Sequence, residues 1–158
     1  MTSSSSGRDH AQLNPLTGRT QPIGDLMRLA QQRLVGYLDA ALSAAGYTDV
    51  RSAHVSVLAM IEADGSRLMD LADRGARTKQ ATAELCAHLV ARGYLTLTPD
   101  TTDRRARLYR PAESGWVLLH AAALAVDEYE AWLDRTIGQD AIGQLTRILT
   151  TIIDKSAG

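Results

Sequence analysis

The sequence contains no phenylalanine, and its aromatic complement is two Trp and five Tyr. A core must therefore be built from Leu, Ile, Val, Ala and Met. Cysteine is nearly absent: Cys86 stands alone. No disulfide can close within the chain, which points to a reducing cytoplasm. No apolar run is long enough to cross a bilayer, so no membrane partner is expected. Residues 1–22 are Ser-, Gly- and Asn-containing and lack the apolar centre of a secretory signal. They read as a flexible N-terminal tail. Catalytic signatures are missing too. There is no glycine-rich phosphate loop, no nucleophile elbow and no His-Glu-x-x-His. His10, His54, His88 and His120 are scattered without ligand spacing. The sequence reads as a non-enzyme with neither cofactor nor metal.

The 158 residues suffice for one domain with a real core. Abundant Ala and Leu favour helices. Leu26, Ala30, Leu34, Leu38, Ala41 and Ala45 recur every three or four residues, predicting an amphipathic helix that ends near Gly46. A second helix is expected from Ser52, as N-cap, to Glu62. A short piece over 68–76 is stopped by Gly75. A further helix from Thr78 turns Leu85, Leu89 and Val90 inward and ends at Gly93. The period then drops to two over 94–98 and again over 105–110, with a polar loop between, which predicts a hairpin. A long helix reaching about Thr136 follows. The last helix, about 140–154, carries Ile142, Leu145, Leu149 and Ile152 as a coiled-coil-like seam. Long terminal helices with continuous apolar seams in a small chain predict a core shared by two subunits. The expected fold class is mainly α with a small β-hairpin wing. Residues 23–46 and 112–155 form a helical dimerisation region, and 50–111 form a winged helix-turn-helix.

Net charge is −1, but it is unevenly spread. From Arg67 to Arg110 nine Lys/Arg stand against five acids, an excess of four positive charges, which leaves the rest of the chain at −5. A basic middle on an acidic body is the asymmetry of a DNA-contacting lobe. Within it, Leu68 to Leu85 has helix-turn-helix spacing: a short helix, a break containing Gly75, and a helix opening on Thr78, Lys79 and Gln80. The N-terminal residues of such a helix meet base edges in the major groove, and its free N–H groups suit a phosphate. Thr78 can cap the helix, Lys79 supplies a point charge and Gln80 can pair in two-point fashion with adenine. Thr82 and Ala83 are small enough to permit close approach or to touch a thymine methyl. On the hairpin, Arg104, Arg105 and Arg107 crowd the turn, where the negative potential of a minor groove would attract them. Asp103 is expected to hold one of these arginines in an ion pair.

At these residues the sequence resembles the MarR family of bacterial winged-helix regulators. The resemblance rests on Thr78-Lys79-Gln80, Gly93-Tyr94, Pro99-Asp100, Asp103-Arg104-Arg105-Ala106 and Glu113-Ser114-Gly115, with Gly46-Tyr47 and Arg51-Ser52-Ala53-His54 upstream. It implies a homodimer with recognition helices in successive major grooves and wings in flanking minor grooves of a pseudo-palindromic duplex operator. Repressor is the default sign, and a small aromatic or anionic effector the default input. Glu84 departs from the pattern, since a neutral or basic residue is common there. A carboxylate near DNA costs affinity unless it pairs with Arg or accepts from a cytosine amine. His54, Tyr37 and Tyr47 are candidates for a ligand cleft between the dimer helices and the DNA lobe. Cys86 reads as half-buried packing rather than a redox switch, and Trp116 and Trp132 as seam packing. The second reading is a helical dimeric interaction module with degenerate DNA binding.

Overall fold

The computed structural model describes residues 22–103 and 105–155, so all of the expected tail over 1–22 except Pro22, and the wing residue Arg104, lie outside the described residues. The element order is α1 (Ile23–Ala44), α2 (Ser52–Leu58), α3 (Leu68–Arg74), α4 (Lys79–Ala91), β1 (Leu95–Pro99), β2 (Arg107–Pro111), α5 (Glu113–Ile137) and α6 (Gln139–Lys155). This is the expected class: helices plus one antiparallel hairpin, paired from Leu95 opposite Pro111 to Pro99 opposite Arg107. Ser66 extends the wing with an isolated bridge to Tyr109, bonded both ways at 2.9 and 3.0 Å. One residue of bridging gave no period-two signal to read.

Three helices end in the same device, in which a left-handed residue past the C-cap turns the chain and two amides close on the last carbonyls. Gly46 (φ +94°) ends α1, with Tyr47 N–H donating to Leu42 O at 2.9 Å. Gly93 (φ +78°) ends α4, with Tyr94 N–H donating to Leu89 O at 2.8 Å. At α3 the left-handed residue is Ala76 (φ +46°), with Arg77 N–H donating to Ala72 O at 3.0 Å. The helix does stop at Gly75, its C-cap, and the left-handed residue is the next one. Gly75 itself is right-handed, and a Cβ there would meet Leu71 O and the Met60 methyl at 3.1 Å. A Cβ at 75 would be tight, and alanine takes the left-handed turn.

Two expected boundaries also shift. The N-cap of α2 is Arg51, not Ser52, because His54 Nδ1 reaches back to accept from the Arg51 amide at 2.9 Å. Ser52 is the first helical residue, and its amide donates to Asp39 Oδ1 at 2.6 Å. The helix stops at Leu58 rather than Glu62, tightening into i→i−3 bonds from Met60 and Ile61.

The fully buried side chains include Leu42, Val57, Leu58, Leu71, Leu89, Leu95 and Leu118, joined by Val50, Thr82 and Cys86. No aromatic ring is among them; Tyr47, Tyr94 and Tyr109 pack half-buried at the edge. α1 lies on α5, while α2 and α3 both pack on α4. α6 touches α5 and buries no residue.

Candidate nucleic-acid interface

Thr78 sits at the N-cap of α4 and its hydroxyl accepts from the Ala81 amide at 3.2 Å. Capping at one end and Gly93 at the other fix a 13-residue helix from local chemistry alone. Its inward face is Thr82, Cys86 and Leu89. The outward stripe is Gln80, Glu84, Ala87 and Ala91, with Lys79 beside Gln80 also exposed and Ala83 half-buried. Thr82 therefore cannot touch a base: it is fully buried, and its hydroxyl donates to Thr78 O at 3.1 Å. A hydroxyl satisfied inside its own helix carries no desolvation cost, which is how a polar residue occupies a core position. Leu85 and Val90, expected inside, are only half-buried, their place having been taken by Thr82 and Cys86. Gln80 Nε2 donates to Glu84 Oε1 at 3.2 Å.

Arg77, just before the helix, turns back and donates through Nη2 to Ser56 Oγ at 3.0 Å. It joins α2 to the turn. Arg74 likewise holds Met60 O at 2.8 Å and the Glu62 carboxylate at 2.6 Å. Two of the basic residues counted in the sequence are thus structural.

In the wing, Arg105 and Arg107 are exposed. Among the described residues Asp103 holds no arginine side chain. Its Oδ1 accepts from the Arg105 amide at 3.0 Å, a turn made by an aspartate with its own backbone. The arginine–carboxylate joint is formed instead by residues the sequence did not single out for it. Arg67, at the start of α3, donates through Nε to Asp100 Oδ2 at 2.8 Å. Asp100, at the end of β1, is 5% exposed and accepts on Oδ1 from the Thr102 amide and hydroxyl, both at 2.7 Å. The Thr102 bonds and the Arg67 guanidinium hold its carboxyl well below the usual carboxylate range. The Pro99-Asp100 pair was legible, but a partner 33 positions upstream was not.

The three cleft candidates each contact a different aromatic partner. Tyr37 stacks on Tyr129 at 5.2 Å and donates to Glu128 Oε2 at 3.2 Å, lining a shallow space between α1 and α5. Tyr47 faces Tyr94 at 6.5 Å. His54 lies against His88, ring centroids 4.4 Å apart. The histidines called scattered are thus in part brought together by the packing of α2 on α4. His88 Nε2 lies 2.6 Å from Asp49 O, and since a carbonyl only accepts, Nε2 carries the proton. His54 Nδ1 accepts, so it carries none. Burial and the adjacent His88 lower the pKa of His54. A separate apolar cavity of about 150 Å³ lies among α1, α2 and α5, lined by Leu38, Leu42, Val55, Ala122, Val126 and the two serines Ser52 and Ser56. Cys86 is fully buried, and burial pushes its thiol up to about 11. It is packing, deeper than expected. Among the described residues no helix is long and apolar enough to cross a membrane, and no cluster of three or more His, Cys, Asp or Glu is placed to hold a metal.

Residues 48–106 match the model of the MarR family. Among solved structures, a MarR-family transcriptional regulator from a Rhodococcus species is 25% identical, with a TM-score of 0.71 over 82% of this chain and 91% of its own. CouR from Rhodococcus jostii, bound to p-coumaroyl-CoA, is 25% identical with a TM-score of 0.69, covering 84% of this chain and 92% of its own. MepR from S. aureus in complex with DNA, at 20% identity, shares the fold with a TM-score of 0.74 over 86% of this chain and 99% of its own. No curated protein matches the chain.

Proposed function

We propose that the chain is a transcriptional regulator of the MarR family, whose model its residues 48–106 match, and that it acts as a homodimeric repressor. It binds a pseudo-palindromic duplex operator and is released or tightened by a small aromatic or anionic effector. The observation that carries the DNA reading is the exposed face of α4: a capped helix offers Lys79 and Gln80 outward while its inner face is locked by Thr82, Cys86 and Leu89. The exposed Arg105 and Arg107 of the wing add the minor-groove cations. That S. aureus MepR, of the same fold, is found in complex with DNA is in keeping with this reading.

Dimerisation is supported by apolar surface that the single chain leaves bare. Ile23, Leu26 and Met27 of α1 and Leu145, Ile148 and Ile153 of α6 are all more than 40% exposed. An apolar concavity of about 420 Å³ is lined by Ile23, Leu26 and Met27 of α1 and Leu145 of α6, with Tyr129 and Leu133 of α5. Exposed patches of this kind mark interfaces. The effector reading is supported by the apolar cavity among α1, α2 and α5, large enough for one aromatic ring, and by the acyl-CoA bound to CouR. None of the cleft candidates Tyr37, Tyr47 and His54 lines this cavity.

The test is fluorescence anisotropy of the purified protein on its own upstream DNA and on a scrambled duplex, across a salt series. Native-sequence preference with a steep salt slope is expected. Arg105→Ala and Arg107→Ala should each weaken binding to both duplexes and flatten the slope by about one per lost phosphate contact. Weak binding, equal on both duplexes and indifferent to these substitutions, would favour the interaction-module reading.

A further inference from the structure

Glu84 is the residue of α4 that this function leaves unused. It stands one turn beyond Gln80 on the outward stripe, followed by Ala87 and Ala91. Neither alanine projects beyond a Cβ, so no side chain on that part of the stripe keeps a docked surface away from the carboxylate. Among the described residues Glu84 has no ion-pair partner. Its partner is the Gln80 amide at 3.2 Å.

A fixed negative charge on the face that meets DNA lowers affinity for all sequences alike. It also discriminates. A carboxylate is an acceptor only. In the major groove guanine presents N7 and O6 and thymine presents O4, all acceptors. Either base opposite Glu84 places acceptor against acceptor, with no proton between them. Cytosine presents its N4 amino donor and no acceptor. Adenine presents a donor too, but with the N7 acceptor beside it. The charge therefore selects cytosine first, tolerates adenine, and rejects guanine and thymine. The bond from Gln80 adds a second effect. It uses one amide proton and fixes which end of the amide is nitrogen. The remaining N–H and Oε1 are the two groups an adenine edge takes through N7 and N6.

We propose that Glu84 is a specificity-determining residue of the recognition helix, reading an amino-bearing base, cytosine foremost, and orienting Gln80 for the neighbouring base. This rests on the DNA-binding reading above. The test is selection from a random duplex pool of about 25 base pairs, room for two half-sites one helical turn apart. Wild type, Glu84→Ala and Arg107→Ala are run in parallel. Because Glu84 is exposed, thermal melting should show the variant folded as wild type. Wild type should enrich cytosine at one position of each half-site. Glu84→Ala should lose that preference and bind the mismatched duplexes more tightly than wild type does. By anisotropy, exchanging the enriched cytosine for thymine or guanine should cost wild type about tenfold and Glu84→Ala less than about twofold. An unchanged preference in Glu84→Ala would overturn the inference while leaving DNA binding standing. Failure of wild type to retain any duplex above a protein-free control would overturn both.

Discussion

Gly115 provides the sharpest test of how the DNA lobe is joined to the long helix. A Cβ at this position would lie 2.3 Å from Tyr94 O and 3.3 Å from Tyr94 C. Both are backbone atoms, so no side-chain rotation relieves the clash. To reach ordinary contact α5 would have to retreat by about 1 Å. The same carbonyl accepts from the Ala112 amide at 3.0 Å, and Ser114 Oγ donates to Gly93 O at 2.7 Å. Retreat weakens both bonds, worth about 1 kcal/mol each. Overpacking adds roughly 1–3 kcal/mol, and the helix preference of alanine returns at most about 1 kcal/mol. Gly115→Ala should therefore destabilise the fold by about 2–4 kcal/mol. In urea denaturation followed by circular dichroism, that is a midpoint drop of about 1–2 M at unchanged slope, with protomer concentration held fixed. Gly93→Ala is the comparison: it has open space around it and a left-handed backbone, so it should cost only about 1–2 kcal/mol. A Gly115→Ala midpoint equal to wild type, or above that of Gly93→Ala, would refute the close approach.

The remaining predictions concern the turn, the histidine pair and the thiol. Ala76→Gly should raise stability by up to about 1 kcal/mol, since glycine carries no left-handed penalty at φ +46° but costs more entropy; the urea midpoint reads it. The pKa of His54 is lowered in the folded state from 6.5, so the unfolded chain binds more protons below that value. Its contribution to stability is complete above pH 6.5 and is lost as pH falls toward the folded pKa. Urea midpoints at pH 7.5 and 5.5 should show this loss, and His54→Gln, which keeps an acceptor for the Arg51 amide, should show less of it. Cys86 should resist thiol reagents in the native protein at pH 8, where a thiol raised to about 11 is almost wholly protonated and inaccessible, and react fully in denaturant.

What the sequence disclosed was what local chemistry decides. Thr78 announced a helix start because a hydroxyl can reach an amide three residues on. Gly46 and Gly93 announced ends because few other residues turn left-handed. The motifs Gly93-Tyr94 and Glu113-Ser114-Gly115 were read separately, and only the structure shows them as two halves of one joint. Contacts over long separations had no such signature. Ser66 pairing Tyr109 and Arg67 reaching Asp100 depend on how the start of α3 meets the wing, and His54 meeting His88 on the packing of α2 on α4. Thr82 misled because its size suits a groove, while its hydroxyl is satisfied within the helix and the side chain faces the core. Arg77 and Arg74 misled as charges, being spent on tertiary bonds.

The Arg67–Asp100 joint bears on how such a protein can be switched. It ties the start of α3 to the far end of β1, while Ser66, next to Arg67, is laced to Tyr109 in β2. Helix-turn-helix and wing are thus tied into a single jaw. In the homodimer proposed above, an effector seated among α1, α2 and α5 would act on the distance and tilt between one jaw and its counterpart on the second copy. Control over the proposed operator would then be a matter of span, measured against the fixed pitch of the duplex.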